Sequence, residues 1–368
     1  MGIPLLDLKR EYAAIEKEVR EAWVAALATM HLLKGENVAA FEREIAAYIG
    51  TPYACGVASG TDALLLSVIG LGIGAGDEVI IHANEYAAAV EAVHHAGARP
   101  VLVDVEADGL GPDLDAVEQA MTPRTRALLI AHLYGSPLPM APILETAARH
   151  NLLLIEDCAH AHGASRDGRK VGTFGQAGCF SSGVVKNLGA YGDAGFITTA
   201  DAGLHARLRL LGTHGQEQKN CHVLYGFNSR LDELQAALLR VKLRHLDARN
   251  RRRAAIAAYY GARFAALDLR VRREQPGEVH VYHQYVIRTA QRDQLQAYLK
   301  AAGIETGIHY PVPLHRHPAW LRSYGESPAL PRAERLVQEI LSLPVFPDLT
   351  DAEVEQVADA VVGFFRSR

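Results

Sequence analysis

The chain has 368 residues, of which 49% are hydrophobic and 22% are charged, and its formal net charge at pH 7 is −4. This length allows two domains around a large core, and the charge balance gives no reason to expect a nucleic acid or an anionic membrane as partner. No apolar run approaches the roughly 18 residues of a membrane span, and neither a secretory leader nor a paired Cys/His spacing is present. We therefore expect a cytoplasmic protein with reduced thiols, no membrane partner and no bound metal.

The first two thirds of the chain alternate helical and strand-like patterns. Apolar residues at helical spacing predict amphipathic helices at 7–30 and 36–49, and the second stops at Gly50, a good C-cap. Beyond them the sequence predicts strands at 53–58, 78–81, 99–105, 127–132, 152–156 and 197–200, and helices at 63–68, 86–96, 114–121, 140–150 and 204–211. Such alternation with short connections favours an α/β fold, with a mostly parallel sheet covered by helices on both faces.

The last third of the chain changes character. Its predicted elements are a polar loop at 213–226, a long helix at 234–263, a strand-like stretch at 279–289, a helix at 293–302, a proline- and histidine-rich loop at 308–318 and a final helix at 351–365. This order is typical of an α+β subdomain that begins within the long helix. We predict a large α/β domain at 1–245 and a small C-terminal α+β domain at 246–368, with the N-terminal helix able to pack on the small one.

A lysine and an aspartate carry the first chemical signal. Residues 177–196 predict a strand, a loop that carries Lys186, a turn and a second strand. A lysine amine forms Schiff bases with carbonyls when its surroundings lower its pKa. Upstream, Asp157 ends an apolar strand, where α/β proteins bind ligands. The pair fits a pyridoxal phosphate site, although local sequence also allows a solvated lysine and a helix N-cap at Asp157.

Two further stretches point to the same edge of the sheet. A strand followed by Ser59-Gly60-Thr61-Asp62 and an apolar helix is a geometry that binds phosphate, since backbone N–H groups and a hydroxyl point to one place. A plain helix N-cap is the alternative. Tyr86 opens a helix just past a strand, so its ring lies either over a ligand or in the core. The glycine-rich run at 70–76 lacks the GxGxxG spacing and follows a helix, so it predicts a connection and not a dinucleotide site.

Ten stretches, in order along nearly the whole chain, carry a family resemblance. They are IPLLDLKREY, LKGENVAAFEREIAAYIG, ASGTDALLLSV, GDEVIIHANEY, AGARPVLVDV, IEDCAHAHGA, GCFSSGVVKNLGAYGDAGFITT, GFNSRLDELQAALLRVKL, GIHYPVPLH and LSLPVFPDLT. Together they resemble the DegT/DnrJ/EryC1/StrS sugar aminotransferases. The resemblance implies the fold type I architecture of transferases that depend on pyridoxal 5'-phosphate (PLP).

The resemblance also implies roles for individual residues. Lys186 would hold the cofactor covalently and then act as the base that moves a proton between substrate and cofactor, and Asp157 would pair with the pyridine nitrogen. The residues implied to hold the rest of the cofactor are Gly60, Thr61 and Ser181 for the phosphate, Tyr86 for the ring face and His160, in place of a more usual Gln, for the phenolic oxygen.

The same resemblance places the substrate and a second subunit. His309 and Tyr310 match a loop that lies near the substrate in the family. Asn228 matches a position from which a neighbouring subunit contributes a phosphate ligand. The pattern therefore implies a homodimer with shared active sites.

The implied activity is transfer of an amino group from L-glutamate to a keto group of a nucleotide-linked (dTDP- or UDP-) deoxysugar, and NSRLDELQAA is more similar to members that aminate C3 than C4. The alternatives are a dehydratase or a cyclitol aminotransferase on the same scaffold, or a non-catalytic regulatory relative. Lys186 argues against the dehydratases, which carry histidine there. The loop FSSGVVK departs from the family's usual FSFYPTK, so the identity of the sugar stays open.

Overall fold

The computed structural model describes residues 2–367. The helices are α1 (Leu8–Thr29), α2 (Glu36–Ile49), α3 (Gly60–Gly70), α4 (Ala87–His95), α5 (Leu114–Ala120), α6 (Met140–Arg149), α7 (Ala202–Leu211), α8 (Glu233–Phe264), α9 (Arg292–Ala301), α10 (Pro318–Tyr324), α11 (Pro331–Glu339) and α12 (Asp351–Arg366). The strands are β1 (Tyr53–Val57), β2 (Glu78–His82), β3 (Arg99–Val103), β4 (Thr125–Ala131), β5 (Leu153–Asp157), β6 (Ser165–Arg166), β7 (Arg169–Lys170), β8 (Ala177–Ser181), β9 (Gly195–Thr199), β10 (Gln216–Gln218), β11 (Cys221–His222), β12 (Arg270–Val271), β13 (Glu278–Val279), β14 (Tyr285–Arg288) and β15 (Ile340–Leu343).

A seven-stranded sheet organises the first two thirds of the chain. Its order is β1-β9-β8-β5-β4-β2-β3. Neighbours from β8 to β3 pair in parallel, whereas β9 pairs antiparallel with both β8 and β1. All strands except β9 therefore end at the same edge of the sheet, and this edge is where a doubly covered α/β sheet binds ligands.

Helices cover the sheet on both faces, which explains why its strands are apolar. Val79 and Ile81 of β2 belong to a core that includes residues of α3, α4 and α7. Ile80, between them, faces the opposite side with residues of α5 and α6. Near β1 and β9 that side is covered by α2 and α8. The predicted α/β architecture with both faces covered is confirmed.

A second core forms around the C-terminal elements. β12, β14 and β15 make a three-stranded antiparallel sheet. Its side chains pack with α9, α12 and the second half of α8, from Ile256 onward. The first half of α8 packs instead on α1 and on the large sheet, which supports a boundary inside α8. The division at residue 245 stays a prediction. Arg10 of α1 reaches the small core through an ion pair with Glu353 at 2.7 Å.

Some C-terminal elements differ from the predicted ones. The sequence pattern missed β15 and the short helices α10 and α11. The stretch at 279–289 is not one run of strand, because Tyr282, between β13 and β14, adopts a left-handed backbone conformation with φ 46°, and the two strands belong to different sheets. No helix within residues 2–367 is long and apolar enough to cross a membrane.

Candidate active site

A cavity of about 400 Å³ lies at the edge of the large sheet where its parallel strands end. Nine of the ten residues predicted from the sequence line it, namely Gly60, Thr61, Tyr86, Asp157, His160, Ser181, Lys186, His309 and Tyr310. They come from loops that follow β1, β2, β5 and β8 and from the small domain. The sheet topology therefore brings together side chains that are up to 250 positions apart in the chain.

Lys186 lies in a tight turn after β8. Its backbone N–H donates to Gly183 O at 2.9 Å. The turn requires glycine at position 189, since a Cβ there would lie 2.6 Å from Val184 O. Burial lowers the pKa of the Lys186 amine, while the carboxyl groups of Asp157 and Glu85 act in the opposite direction. Burial thus favours the neutral, nucleophilic amine that Schiff-base chemistry needs.

Asp157 is buried at the end of β5 and faces Lys186 across the cavity. Its Oδ1 accepts the backbone N–H of Ala159 at 2.8 Å. The residues that directly follow it form turns and no α-helix, so the N-cap alternative is wrong. Burial raises the pKa of Asp157, and the hydrogen bond from Ala159 and the charge of Lys186 oppose this. A cationic ring nitrogen would offset the cost of burying this carboxylate.

His160 has a defined tautomer. Tyr134 donates its backbone N–H to Nδ1 of His160 at 3.3 Å, so the ring proton lies on Nε2. Burial lowers the pKa of His160 well below its ordinary value, with smaller contributions from Lys186 and His309. Nε2 lies 3.4 Å from the hydroxyl of Tyr310. The neutral ring therefore offers an N–H donor to an oxygen in the cavity.

The N-terminus of α3 approaches Ser181 closely. Ser59 is the N-cap, and its Oγ accepts the backbone N–H of Asp62 at 3.0 Å. A Cβ on Gly60 would lie 2.4 Å from Cβ of Ser181, so only glycine fits. The N-cap at Ser59 is confirmed, and phosphate binding stays a prediction; a capped helix start also leaves backbone N–H groups of Gly60 and Thr61 at the cavity. This geometry fits a phosphate.

Two tyrosines and a small-domain loop cover the open side. Tyr86 is 54% exposed and is not a core residue, and its ring centroid lies 5.3 Å from that of Tyr310. The loop is held by Tyr134, whose hydroxyl donates to His309 O at 2.6 Å. His309 Nδ1 also lies 2.8 Å from Ser342 Oγ. The loop that the sequence associates with the substrate therefore closes this cavity.

Asn228 lies elsewhere. It is exposed and forms an isolated bridge with Thr213, and it is not among the residues that line the cavity of its own chain. This position is compatible with a role in a neighbouring subunit and does not test it.

Sequence reasoning missed five polar residues of the lining: Glu85, His132, Asp193, His283 and Gln284. The ring of His283 lies 4.5 Å from that of His160, and its Nδ1 lies 3.0 Å from Asn187 Oδ1. Glu85 lies three residues after the end of β2, whereas Asp157 is itself the last residue of β5, so the strand-end signal is weaker for Glu85. His283 and Gln284 come from the small domain, so no local pattern places them beside Lys186.

A buried group of potential metal ligands, His132, Glu156 and Cys158, adjoins the cavity, and His132 is part of its lining. Nδ1 of His132 accepts the backbone N–H of Leu138. Nε2 of His132 lies 3.0 Å from Oε2 of Glu156. Glu156 also accepts backbone N–H groups of the loop at 172–175. These hydrogen bonds account for the group as a support for the end of β5.

The donors around the cavity fit PLP. Lys186 would supply an amine for its aldehyde, Asp157 a carboxylate for its ring nitrogen, and His160 an N–H for its phenolic oxygen. The start of α3, with Gly60 approached by Ser181, would hold the phosphate.

Comparison with known proteins agrees with this geometry. The DegT/DnrJ/EryC1/StrS aminotransferase family matches residues 13–362. The dTDP-3-amino-3,4,6-trideoxy-alpha-D-glucose transaminase of Streptomyces venezuelae is 45% identical over 363 residues, which cover 98% of this chain and 95% of that protein. The UDP-N-acetyl-3-dehydro-alpha-D-glucosamine 3-aminotransferase of Acidithiobacillus ferrooxidans is 40% identical over 360 residues, with 98% and 97% covered.

A solved structure shows the same fold. The crystal structure of DesV from S. venezuelae, in complex with a ketimine intermediate, superposes with a TM-score of 0.96 at 45% identity, over 99% of this chain and 98% of that one. With a lysine, a strand-end aspartate and a helix N-terminus converging on one cavity, the chain belongs to the DegT/DnrJ/EryC1/StrS aminotransferase family.

Proposed function

We propose that this protein is a PLP-dependent aminotransferase that moves an amino group from L-glutamate to the C3 keto group of a nucleotide-linked deoxysugar. The observation that carries the proposal is the single cavity that Lys186, Asp157 and the start of α3 share. The names of both curated relatives specify a 3-amino sugar or a 3-aminotransferase acting on dTDP- or UDP-linked substrates, which supports C3. A ketimine, as in the DesV complex, is the product of an amine and a keto group.

Bound PLP supplies an electron sink for the carbanion that forms next to the amino nitrogen. Lys186, with its buried amine, takes and returns the proton at the reacting carbon. With PLP bound, Asp157 would keep a proton on the ring nitrogen, and His160 would donate its Nε2–H to the phenolic oxygen. Tyr86 and Tyr310 would cover the cofactor and exclude water.

We include a homodimer with shared active sites in the proposal. Lys186 is the one lysine or arginine among the described residues that line the cavity, whereas glutamate and a nucleotide diphosphate are anions. Further cations must therefore come from outside the cavity. The loop at 213–228 exposes Lys219 and His222 beside apolar side chains, with Tyr225 fully exposed and Val223 53% exposed. An exposed apolar patch of this kind supports a protein interface.

A cytoplasmic location belongs to the same proposal. All four cysteines are free thiols, and Cys221 is exposed, which suits a reducing compartment.

Borohydride reduction of the PLP-loaded protein, followed by peptide mapping, tests the proposal. We expect a reduced pyridoxyl adduct on Lys186 and no adduct in Lys186→Ala, whose turnover should fall at least 10³-fold by analogy with loss of a covalent catalytic group (~4 kcal/mol). Lys300→Ala, an exposed lysine on α9, is the control and should behave as the parent. An adduct on another lysine, or parent-like turnover in Lys186→Ala, would contradict the assignment of Lys186 as the lysine that binds PLP.

A half-reaction separates the proposal from the dehydratase alternative. L-Glutamate alone should convert bound PLP into its pyridoxamine form and release 2-oxoglutarate. A protein that consumes a ketosugar without this conversion is not an aminotransferase.

A further inference from the structure

Glu85 lines the cavity, and the mechanism above does not use it. It lies between β2 and α4, three residues after His82, and its side chain is 2% exposed. The cavity brings it together with Asp157 and Lys186. Two buried carboxyl groups therefore face one lysine.

The hydrogen bonds of Glu85 do not support a negative charge. Its Oε1 accepts the backbone N–H of Tyr86 at 2.7 Å, whereas Oε2 is buried and has no hydrogen-bond partner in the described part of the chain. The nearby Nε2 of His82, 3.7 Å away, already accepts the backbone N–H of Ala131 at 3.2 Å. Nε2 therefore carries no proton that it could donate to Oε2. Ionisation of Glu85 would leave a buried oxyanion without a donor, which is costly.

The charges around Glu85 act in the same direction. The titratable groups that face it are His82 on β2, Tyr134 after β4, Asp157 on β5, Lys186 after β8 and Tyr310 of the small domain. Burial and the charge of Asp157 raise the pKa of Glu85 well above its ordinary value, and Lys186 opposes this. His82 adds no charge, because burial lowers its pKa to about 3.

We propose that Glu85 is a positioning residue of the cofactor site: its carboxyl group stays protonated and leaves Asp157 as the single carboxylate that meets the ring nitrogen. This inference rests on the proposed function. Two carboxylates at this place would compete for the one proton of the ring nitrogen. They would also hold the amine of Lys186 in its cationic form, which is not a nucleophile. A neutral Glu85 avoids both effects.

Glu85→Gln tests the proposal, because glutamine keeps the shape and the neutral charge but carries no titratable proton. Infrared spectra of the purified full chain, before and after addition of PLP, should show at pH 7 a carbonyl band of a protonated carboxylic acid that Glu85→Gln lacks. Glu91→Gln, an exposed residue of α4, makes the same substitution nearby and should keep the band. Glu85→Met, which is neutral and of similar length, provides a second variant if the first fails to fold.

PLP affinity gives an independent readout. At pH 7 Glu85→Gln should bind PLP within about threefold of the parent, whereas loss of the Asp157 charge should weaken binding by more than tenfold, as expected for an unpaired buried cation. An acid band that Glu85→Gln leaves unchanged, or a tenfold loss of PLP affinity in Glu85→Gln, would show that Glu85 is charged and overturn the proposal. A parent that shows the acid band but forms no reducible adduct on Lys186 would instead overturn the proposed function, and with it the role of Glu85 toward the cofactor.

Discussion

Burial changes the protonation of individual side chains at this site. Lys186 and Asp157 are ordinary ionisable residues in the sequence, yet burial lowers the pKa of one and raises the pKa of the other. His160 donates through Nε2 only because the backbone N–H of Tyr134 occupies Nδ1. These properties depend on neighbours that are distant in the chain, so the sequence predicts the residue and not its protonation.

Asp157→Asn tests the charge at the ring nitrogen. Asparagine keeps the hydrogen bond from Ala159 but cannot stabilise a pyridinium, so we expect turnover to fall about 10²- to 10³-fold, the usual effect of losing one preorganised charge partner, together with weaker PLP binding. Steady-state kinetics and PLP titration measure both. Asp167→Asn, whose side chain is 78% exposed, is the control, and equal losses in the two variants would contradict the role of Asp157.

At the level of elements, the site depends on one helix start and one turn. The α3 N-terminus and the strand end at Ser181 meet so closely that glycine is required at position 60. The sequence shows both Gly60 and Ser181, but their contact exists only because β1 and β8 both flank β9 in the sheet. Most strands and long helices of the large domain were predicted because their periodicity is strong. The short α10, α11 and β15 were missed, although α10 and α11 each begin with a proline, which is a local signal for a helix start.

Gly60→Ala tests this contact. Because a Cβ would lie 2.4 Å from Ser181 Cβ and 2.9 Å from its Cα, α3 must move away from Ser181, and we expect a loss of stability of about 1–3 kcal/mol. PLP affinity should fall at least tenfold, since the phosphate ligands separate.

Gly74→Ala is the matched control for Gly60→Ala. Its Cβ would lie 3.5 Å from the nearest atom, Ala96 O, so it should leave both urea unfolding and PLP binding unchanged. If Gly60→Ala also leaves PLP binding unchanged, α3 does not hold the phosphate.

At the level of the whole molecule, the folded chain leaves several side chains of the segment at 213–228 exposed. They include Asn228 and the apolar side chains of Val223 and Tyr225. The family pattern assigns Asn228 to the site of a neighbouring subunit, and this stays a prediction. It has a direct consequence for mixed dimers, because each site would then contain residues of two chains.

Subunit complementation tests the shared site. Asn228→Asp should repel the phosphate, and Lys186→Ala should abolish chemistry, so each variant alone should be nearly inactive. In a mixed dimer, one of the two sites combines the intact Lys186 of one chain with the intact Asn228 of the other. Random exchange of subunits makes about half of the dimers mixed, and each mixed dimer has one working site of two, so about a quarter of the parent activity should return. No recovery after confirmed exchange would place Asn228 in the site of its own chain.

The class of fold, the family and nine of the residues that line the cavity could be predicted from the sequence, because strand and helix periodicity and short motifs are local properties of the chain. The folded chain adds Glu85, His283 and Gln284 to the cavity, assigns the proton of His160 to Nε2 and leaves Asn228 outside the lining. These features could not be predicted, because proximity, burial and the dielectric around a charge depend on strand order and on how the C-terminal elements pack against the large sheet, and no short stretch of sequence contains either.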